Sequence, residues 1–198
     1  MLKRTIDLAL ATVALIVLTP VLLAMMLWVR ADSPGPVFFR QERVGRHGRV
    51  FRIHKLRTMQ VDAPSQGPAV TAHVDPRVTR AGRWLRRHRI DELPQLIDVI
   101  RGDMSLVGPR PEVPRFVAMY PPELRIKVLA VRPGITDPAA LEFVDEGEWL
   151  AGSPDLEQAY VETVLPRKLR RQVEYVERAT WWSDLAVMAR TLRVLLAR

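Results

Sequence analysis

Cysteine is absent from this sequence, and histidine is scarce. The absence of Cys excludes disulfides, thiolate metal sites and Cys nucleophiles. The four His residues, at positions 47, 54, 73 and 88, lack the spacing of a zinc site, so we expect them to be surface or packing residues. The sequence also contains no internal repeat, and its 198 residues predict one domain, with or without an appended membrane segment.

Charged residues are missing from residues 8–29, an apolar run near the N-terminus. A helix of this length would extend about 33 Å, which is enough to cross the hydrocarbon core of a bilayer. A cleaved signal peptide fits poorly, because the run is too long and residues 30–34 do not form a cleavage site. The sequence therefore predicts a membrane segment at residues 1–32, followed by a more polar unit at residues 33–198.

Two topologies remain open for this segment. Basic residues flank it on both sides, and by the positive-inside tendency they place both ends in the cytoplasm: Lys3, Arg4, Arg30, Arg40, Arg43 and Arg46. Pro20, preceded by Thr19, lies near the middle, where it removes a backbone hydrogen bond and can break the helix. A re-entrant hairpin that bends at Thr19 and Pro20 accounts for both observations, and a simple spanning helix is the alternative.

Acidic residues are outnumbered in the chain as a whole. Thirty Lys and Arg against 22 Asp and Glu give a formal net charge of +8. This balance favours polyanionic partners, namely nucleic acid, an anionic membrane surface or a phosphorylated substrate. Charge alone does not select among the three.

A β-hairpin is predicted directly after the membrane segment. Residues 37–44 and 49–53 are rich in β-branched and aromatic side chains, and the four residues between them include two Gly. The chain then continues through Lys55 and Arg57, which share one face of an extended strand because they are two residues apart. A phosphate-binding pair and a solvated basic strand edge are both compatible with this spacing.

Asp91 and Glu92 are adjacent carboxylates placed just before Pro94. Since Pro is tolerated only in the first helical turn, we expect a helix to begin near Asp91 or Glu92. At helical spacing, the residues expected to face the core are Leu93, Leu96, Ile97 and Ile100, and those expected on the opposite side are Asp91, Gln95 and Asp98. The two acids either cap the helix or serve as metal ligand and nucleophile in phosphoryl transfer.

A rigid basic loop follows this helix. Residues 108–111 read Gly-Pro-Arg-Pro, so that Pro109 and Pro111 stiffen the backbone on both sides of Arg110. A guanidinium fixed in this way suits bidentate contact with a phosphate group.

Together these segments resemble the bacterial sugar transferase family, the small monotopic phosphoglycosyl transferases. In order and spacing the matching segments span residues 3–136: Lys3-Arg4 with Asp7, Thr19-Pro20, residues 35–41, residues 55–59, residues 75–82, residues 90–96, residues 102–112 and residues 131–136. The resemblance implies transfer of a phosphosugar from a UDP-sugar to polyprenyl (undecaprenyl) phosphate, with release of UMP. Such a reaction is the first membrane step in assembling a capsule, exopolysaccharide, O-antigen or glycoprotein glycan.

The resemblance also implies roles for individual residues. Asp91 would be the nucleophile that carries the phosphosugar covalently, and Asp91 and Glu92 would bind Mg²⁺. The residues implied to line the phosphate sites are Lys55, Arg57, Arg80, Pro109, Arg110, Pro111 and Arg132. Thr19 and Pro20 would mark the break of a re-entrant membrane helix.

The implied fold is α+β and mainly helical. It combines the re-entrant helix and small β-hairpin with interfacial amphipathic helices around a compact catalytic domain on the cytoplasmic face of the bacterial inner membrane. The expected partners are a UDP-sugar, polyprenyl phosphate and membrane lipids, without nucleic acid, and a homodimer is one of the assemblies left open. The last helix, after Trp181 and Trp182, either lies on the membrane or packs against the domain.

This chain departs from the family pattern at a few positions. Leu56 and Ile90 stand where Phe and Leu are expected, and both keep apolar character. Residues 137–143 replace a Gly-x-Ala-Gln run that is common in the family, so the sugar preference stays open. Two other functions are retained for comparison: a glycosyltransferase that releases UDP, and a catalytically silent basic scaffold.

Overall fold

The computed structural model describes residues 2–67, 75–143, 150 and 153–196. Its helices are α1 (Leu2–Asp32), α2 (Arg80–Arg87), α3 (Leu96–Arg101), α4 (Pro114–Ala118), α5 (Pro122–Val128), α6 (Pro138–Glu142), α7 (Leu156–Ala159), α8 (Leu165–Arg178) and α9 (Trp181–Leu196). Its strands are β1 (Phe38–Phe39), β2 (Glu42–Val44), β3 (Val50–Arg52), β4 (Lys55–Leu56), β5 (Ser105–Val107) and β6 (Gly134–Thr136). The predicted class, mainly helical with small sheets, is confirmed; His73 lies outside the described residues.

The predicted β-hairpin is present. Strand β2 pairs antiparallel with β3, so that Arg43 lies opposite Phe51, and β1 pairs antiparallel with β4, so that Phe39 lies opposite Lys55. A short 3₁₀ helix, Arg46–Gly48, connects β2 to β3. Gly48 has a φ of 79° there, a backbone conformation that glycine adopts without steric cost. Pairing of β4 with β1 thus fixes the position of Lys55, directly after the hairpin.

Helix α1 is the long apolar element predicted from the sequence. Its 31 residues have a mean hydropathy of 2.6 over the most apolar window, which is long and apolar enough to cross a membrane. Where we expected a break, the structure has one helix with Pro20 inside it, and the Thr19 hydroxyl donates to the Leu15 carbonyl at 2.6 Å. That bond ties Thr19 to the turn preceding the proline, so the helix continues despite the N–H that Pro20 lacks. Re-entry into the membrane stays a prediction.

One face of α1 packs against the rest of the domain. Ala11 is fully buried in a cluster with Leu96 and Val99 of α3. Nearer the helix end, Val29 is buried with Leu56 and Leu85. The opposite face is apolar and exposed, and includes Val13, Ile16, Val17, Leu23 and Leu27. Helix α1 therefore contributes to the core on one side and leaves its other side available to lipid.

A second hydrophobic core includes one residue of the hairpin and residues of several helices. It joins Val44 of β2 to helices α4, α5, α6 and α8, with Phe116, Tyr120, Phe143 and Leu169 among its buried members. The parallel pair β5 and β6 packs against the first core through Leu106 and Ile135, with Ser105 opposite Gly134. Gly134 and Gly108 approach so closely that a Cβ on Gly134 would lie 2.1 Å from the Gly108 nitrogen. Only glycine fits at this crossing, where the basic loop begins.

The last helix packs and also exposes apolar residues. Asp184 is buried, accepts a hydrogen bond from the Tyr175 hydroxyl at 2.6 Å and forms an ion pair with Lys3 at the start of α1. Trp181 and Trp182 are stacked on each other and remain 44% and 64% exposed. Helix α9 is thus anchored to the domain, and its Trp pair stays free of that packing.

The central helix differs from its predicted orientation. Leu96 and Val99 are buried as a helical core face should be, but Leu93, Ile97 and Ile100 are only half-buried. The residues expected on the solvent side, Asp91, Gln95 and Asp98, are all buried. Asp98 explains part of the difference, because His54 from the hairpin donates to it from both its backbone N–H, at 2.8 Å, and its ring. Because this polar face is packed inside the protein, Asp91 and Asp98 are buried and not exposed to solvent.

Candidate active site

Asp91 and Glu92, the carboxylate pair, lie in a 3₁₀ helix, Ile90–Gln95, which leads directly into α3. Arg89 precedes it in the left-handed conformation, with a φ of 56°, and so turns the chain sharply after α2. The expectation that Asp91 caps the helix is wrong: it lies inside the first turn, and its carboxylate forms no capping hydrogen bond. Asp91 is 1% exposed and Glu92 is 7% exposed, so both carboxylates are held inside the protein.

Lys55 lies between the two carboxylates. Strand β4 places its ammonium nitrogen 3.0 Å from Oδ2 of Asp91 and 3.4 Å from Oε1 of Glu92. A buried carboxylate is costly to maintain unless it is paired and hydrogen-bonded. One lysine from the hairpin therefore compensates for part of the burial of both acids.

The second oxygen of Asp91 has a different environment. Oδ1 is buried and has no hydrogen-bond partner among the residues that the structure describes. A buried polar atom without a partner costs about 1–3 kcal/mol, and such atoms are rare in folded proteins. Among the described residues, this oxygen is therefore the one atom of the carboxylate pair without a protein partner.

Glu92 is bound by the basic loop at residues 108–111. The Arg110 guanidinium forms a fork on its carboxylate, with Nη1 donating to Oε2 at 2.9 Å and Nη2 donating to Oε1. Burial alone would raise the pKa of Glu92, but the charges of Arg110 and Lys55 outweigh burial and hold that pKa well below its usual range. Glu92 is thus ionised throughout the physiological pH range.

The basic loop is fixed by contacts on both sides of Arg110. The carbonyl of Pro109 accepts a hydrogen bond from the Gly134 N–H at 3.0 Å. The carbonyl of Pro111 accepts one from Nη1 of Arg43 at 2.9 Å. Arg43 is itself half-buried, and its desolvation lowers its pKa from the ordinary value, although the nearby Glu112 carboxylate opposes the shift. The stiffness predicted from the two prolines is thus reinforced by tertiary hydrogen bonds.

A cavity of about 500 Å³ opens beside Lys55. We call it the basic cavity, because seven cationic side chains line it against one carboxylate, that of Glu157. The cations are Arg40, Arg43, Lys55, Arg57, Arg77, Arg86 and Arg115. Clefts lined by one sign of charge concentrate ligands of the opposite sign, so this cavity favours a polyanion.

The predicted phosphate-binding residues do not all meet at this place. Lys55 and Arg110 contact the carboxylate pair. Arg57 lines the cavity, although its guanidinium donates to the carbonyls of Ser33 and Pro34 at the end of α1. Arg80 is exposed on the first turn of α2, and Arg132 donates to the Gly102 carbonyl at 2.9 Å beyond the end of α3. Their part in binding phosphate therefore stays a prediction.

Sequence reasoning missed two arginines near the carboxylate pair. Arg43 was read only as a membrane-flanking charge, yet it lies inside the domain and lines the cavity. Arg86 donates to the Thr58 hydroxyl at 2.8 Å, and the Asp91 charge partly offsets the lowering of the Arg86 pKa by burial. A signal existed for Arg43, because strand alternation places it on the same face as Gln41 and opposite Glu42. No sequence pattern distinguished Arg86 from the other arginines of α2.

The carboxylate pair has the donor chemistry that Mg²⁺ prefers. No group of three or more His, Cys, Asp or Glu suited to a metal occurs within the described residues. Mg²⁺ does not need such a group, because it commonly uses one or two carboxylates together with waters and substrate phosphates. The carboxylate pair therefore fits a Mg²⁺ site that is completed by a phosphorylated substrate.

Comparison with known proteins relates the whole chain to one family. A family model described as Bacterial sugar transferase matches residues 1–198. A UDP-glucose:undecaprenyl-phosphate glucose-1-phosphate transferase of Caulobacter vibrioides is 38% identical over 199 residues, which cover 98% of this chain and 69% of that protein. The chain is thus similar to this relative along nearly its entire length.

Two further relatives are longer. A UDP-N-acetylgalactosamine-undecaprenyl-phosphate N-acetylgalactosaminephosphotransferase of Aeromonas hydrophila is 35% identical over 196 residues, which cover 98% of this chain and 43% of that protein. A UDP-glucose:undecaprenyl-phosphate glucose-1-phosphate transferase of Escherichia coli is 35% identical over 194 residues, which cover 97% of this chain and 39% of that protein. The chain spans less than half the length of each of these two.

Replacing Arg110 by Gln should destabilise the protein in a pH-dependent way. The folded pKa of Glu92 lies below its unfolded value, so the pairing stabilises fully above the unfolded pKa of about 4.3 and is lost as the pH falls through the folded pKa. We expect a loss of about 2 kcal/mol at pH 7, or roughly 6 °C in melting temperature, that shrinks as the pH falls below about 4.3. Thermal unfolding in detergent micelles measures it.

The matched control is Arg89→Gln. Nη1 of Arg89 lies 3.9 Å from Oε1 of Glu92, and the Arg89 side chain is 35% exposed. Solvent-exposed pairs contribute little, so this variant should lose less than about 1 kcal/mol at pH 7. A deficit for Arg110→Gln that is equal at pH 7 and pH 3 would show that the Glu92 charge is not its cause.

Proposed function

Because this chain belongs to the bacterial sugar transferase family, we propose that it transfers a phosphosugar from a UDP-sugar to a polyprenyl phosphate and releases UMP. The observation that carries the proposal is the pair of buried carboxylates next to the basic cavity, with one Asp91 oxygen unpartnered. The positive charge of the cavity suits a diphosphate, and the unpartnered Oδ1 of Asp91 can act as a nucleophile. In the cell, this reaction would begin the membrane assembly of a capsule, exopolysaccharide, O-antigen or glycoprotein glycan.

In the first step, Asp91 acts as the nucleophile. Its Oδ1 attacks the β-phosphorus of the UDP-sugar, and the bond from that phosphorus to the bridging oxygen breaks, so that UMP leaves with the bonding electrons. Lys55 holds the other oxygen of Asp91 at 3.0 Å and so fixes the direction of attack. The product is an acyl phosphate in which Asp91 carries the phosphosugar.

In the second step, a phosphate oxygen of the polyprenyl phosphate attacks the phosphorus of the acyl phosphate. The bond to Asp91 breaks, its carboxylate is restored, and polyprenyl diphosphosugar is released. Both steps move negative charge within the site, and the cations of the basic cavity stabilise that charge electrostatically. Arg110 keeps Glu92 ionised and in place throughout.

Asp91 and Glu92 would hold Mg²⁺ in this reaction. Bound there, the ion supplies charge neutralisation for the diphosphate. Arg110 and Lys55 already contact the Glu92 carboxylate, so these cations and the metal would share it, and Oδ1 of Asp91 would remain for the attack on phosphorus.

The packing of α1 supports a monotopic arrangement on the cytoplasmic face. Near its start, Asp7 accepts a hydrogen bond from the Ser105 hydroxyl at 2.8 Å. At its end, Asp32 accepts one from the Ala81 N–H at 2.9 Å. Both ends therefore contact the same domain, which a helix running straight across a bilayer away from that domain could not do. The exposed apolar face of α1 would then enter one leaflet, with Thr19 and Pro20 at its deepest point.

The nucleotide product provides the direct test of the reaction. Purified protein supplied with Mg²⁺, a polyprenyl phosphate and a panel of UDP-sugars should release UMP with one or more of them, and chelation of Mg²⁺ should stop it. Asp91→Asn should lower this release by at least about 10³-fold, because it removes the nucleophile. Asp103→Asn, the same exchange outside the site, should remain active. Release of UDP would contradict the proposal, and so would full activity of Asp91→Asn.

The topology has its own test. Cysteine reporters placed at residue 1 and at residue 198 of this Cys-free chain should both resist a membrane-impermeant thiol reagent in intact cells. Both should react once the inner membrane is permeabilised. Labelling of the N-terminal reporter in intact cells would show that α1 spans the membrane and would refute the monotopic arrangement.

A further inference from the structure

Asp137 is buried completely, within the segment where the sequence departs from the family pattern. Its Oδ2 accepts a hydrogen bond from the backbone N–H of Arg110 at 2.8 Å, and its Oδ1 accepts one from the N–H of Ala140 at the start of α6. Burying a carboxylate costs several kcal/mol unless hydrogen bonds compensate. The hydrogen bonds of Asp137 to the basic loop and to α6 must therefore offset the cost of burying its charge.

Gln172 completes the arrangement from α8. Its side chain is 3% exposed, and its amide donates to Oδ2 of Asp137 at 3.1 Å and to the carbonyl of Arg110 at 3.5 Å. Asp137 thus binds the backbone N–H of Arg110, while Gln172 contacts its backbone carbonyl. We call these two residues the Arg110 clamp.

The Arg110 clamp has no competing ionic function. Asp137 forms no ion pair with any residue in the described part of the chain, and its three hydrogen-bond donors are neutral amide groups. These neutral amides fix the position of the Asp137 carboxylate. They do not compete for the Arg110 guanidinium, which stays paired with Glu92. The clamp therefore controls where the Arg110 backbone lies and leaves its charge unchanged.

We propose that Asp137 and Gln172 are positioning residues that act on the carboxylate pair through Arg110. This inference rests on the proposed function, because it assigns the clamp a purpose in phosphosugar transfer. A displacement of Arg110 would carry Glu92 with it, since the guanidinium forks that carboxylate. Shifts of about 1 Å in a catalytic site can cost roughly 100-fold in rate.

A simpler explanation is that Asp137 only caps α6. Asp137 does occupy the N-cap position of that helix and satisfies the Ala140 N–H. Gln172 separates the two explanations, because its amide also donates to the Arg110 carbonyl and, among the described residues, caps no backbone N–H of α6 itself. A variant of Gln172 should impair activity if the clamp matters and leave it intact if only the cap matters.

The kinetic test is a double-mutant cycle in the full-length protein. Asp137→Asn places an amide N–H where a backbone N–H now donates, so it should lower kcat by about 10- to 100-fold, with KM for the UDP-sugar changed less than about threefold. In an Arg110→Lys background, which has already lost the fork, the same change should cost less than about twofold. Gln172→Leu should behave like Asp137→Asn with a smaller loss.

The outcome that would overturn the inference is additivity. If Asp137→Asn costs the same factor with Arg110 or Lys at position 110, the residue acts on stability alone. Asp155→Asn serves as the control, because Asp155 caps α7 through the N–H groups of Glu157 and Gln158 without contacting Arg110. That variant should keep the activity of the unmodified protein.

Hydrogen–deuterium exchange tests the clamp without any turnover. Asp137→Asn and Gln172→Leu should raise exchange in a peptide covering residues 105–113 and leave a peptide covering residues 50–57 unchanged. Unchanged exchange at residues 105–113 would refute the clamp even if UMP is released. If the unmodified protein releases no UMP while exchange rises as expected, the proposed function fails and the clamp stands.

Discussion

The active site depends on one electrostatic arrangement: two adjacent carboxylates buried side by side and held by cations from distant segments. Asp91 and Glu92 would repel each other and resist burial if they were alone. Lys55 contacts both, and Arg110 forks the second. Among the described residues, each carboxylate oxygen except Oδ1 of Asp91 is engaged by a cation, so the arrangement stabilises the acids and leaves one oxygen without a protein partner.

The fold can be understood as the means of bringing these cations to one place. The hairpin delivers Lys55, and the close crossing of Gly108 and Gly134 sets the start of the basic loop that carries Arg110. Helix α1 packs against α3 and contacts the rest of the domain at both ends, through Asp7 and Asp32. The apolar helix α1 and the carboxylate pair are therefore parts of one packed unit, which suits the proposed reaction between a nucleotide sugar and a lipid phosphate.

Local patterns in the sequence were enough to predict the hairpin, the apolar helix and the mainly helical class. The resemblance drew attention to Lys55 and Arg110 beside Asp91 and Glu92, and the structure brings these four together. The roles it implies for Arg80 and Arg132 stay predictions, because distance along the chain does not report which basic residues converge. Asp98 was placed on the solvent side for the same reason: its partner, His54, lies 44 residues away. Long-range pairing of polar groups overrode the helical pattern.

The most direct measurement is to locate the phosphosugar on the protein. The protein would be incubated with Mg²⁺ and an accepted UDP-sugar in the absence of polyprenyl phosphate, quenched in acid, digested, and its peptides sequenced by mass spectrometry. We predict that the mass of one phosphosugar lies on Asp91 and disappears when polyprenyl phosphate is added before the quench. A phosphosugar on Glu92 or on any other residue, or UMP release without any adduct, would contradict the account.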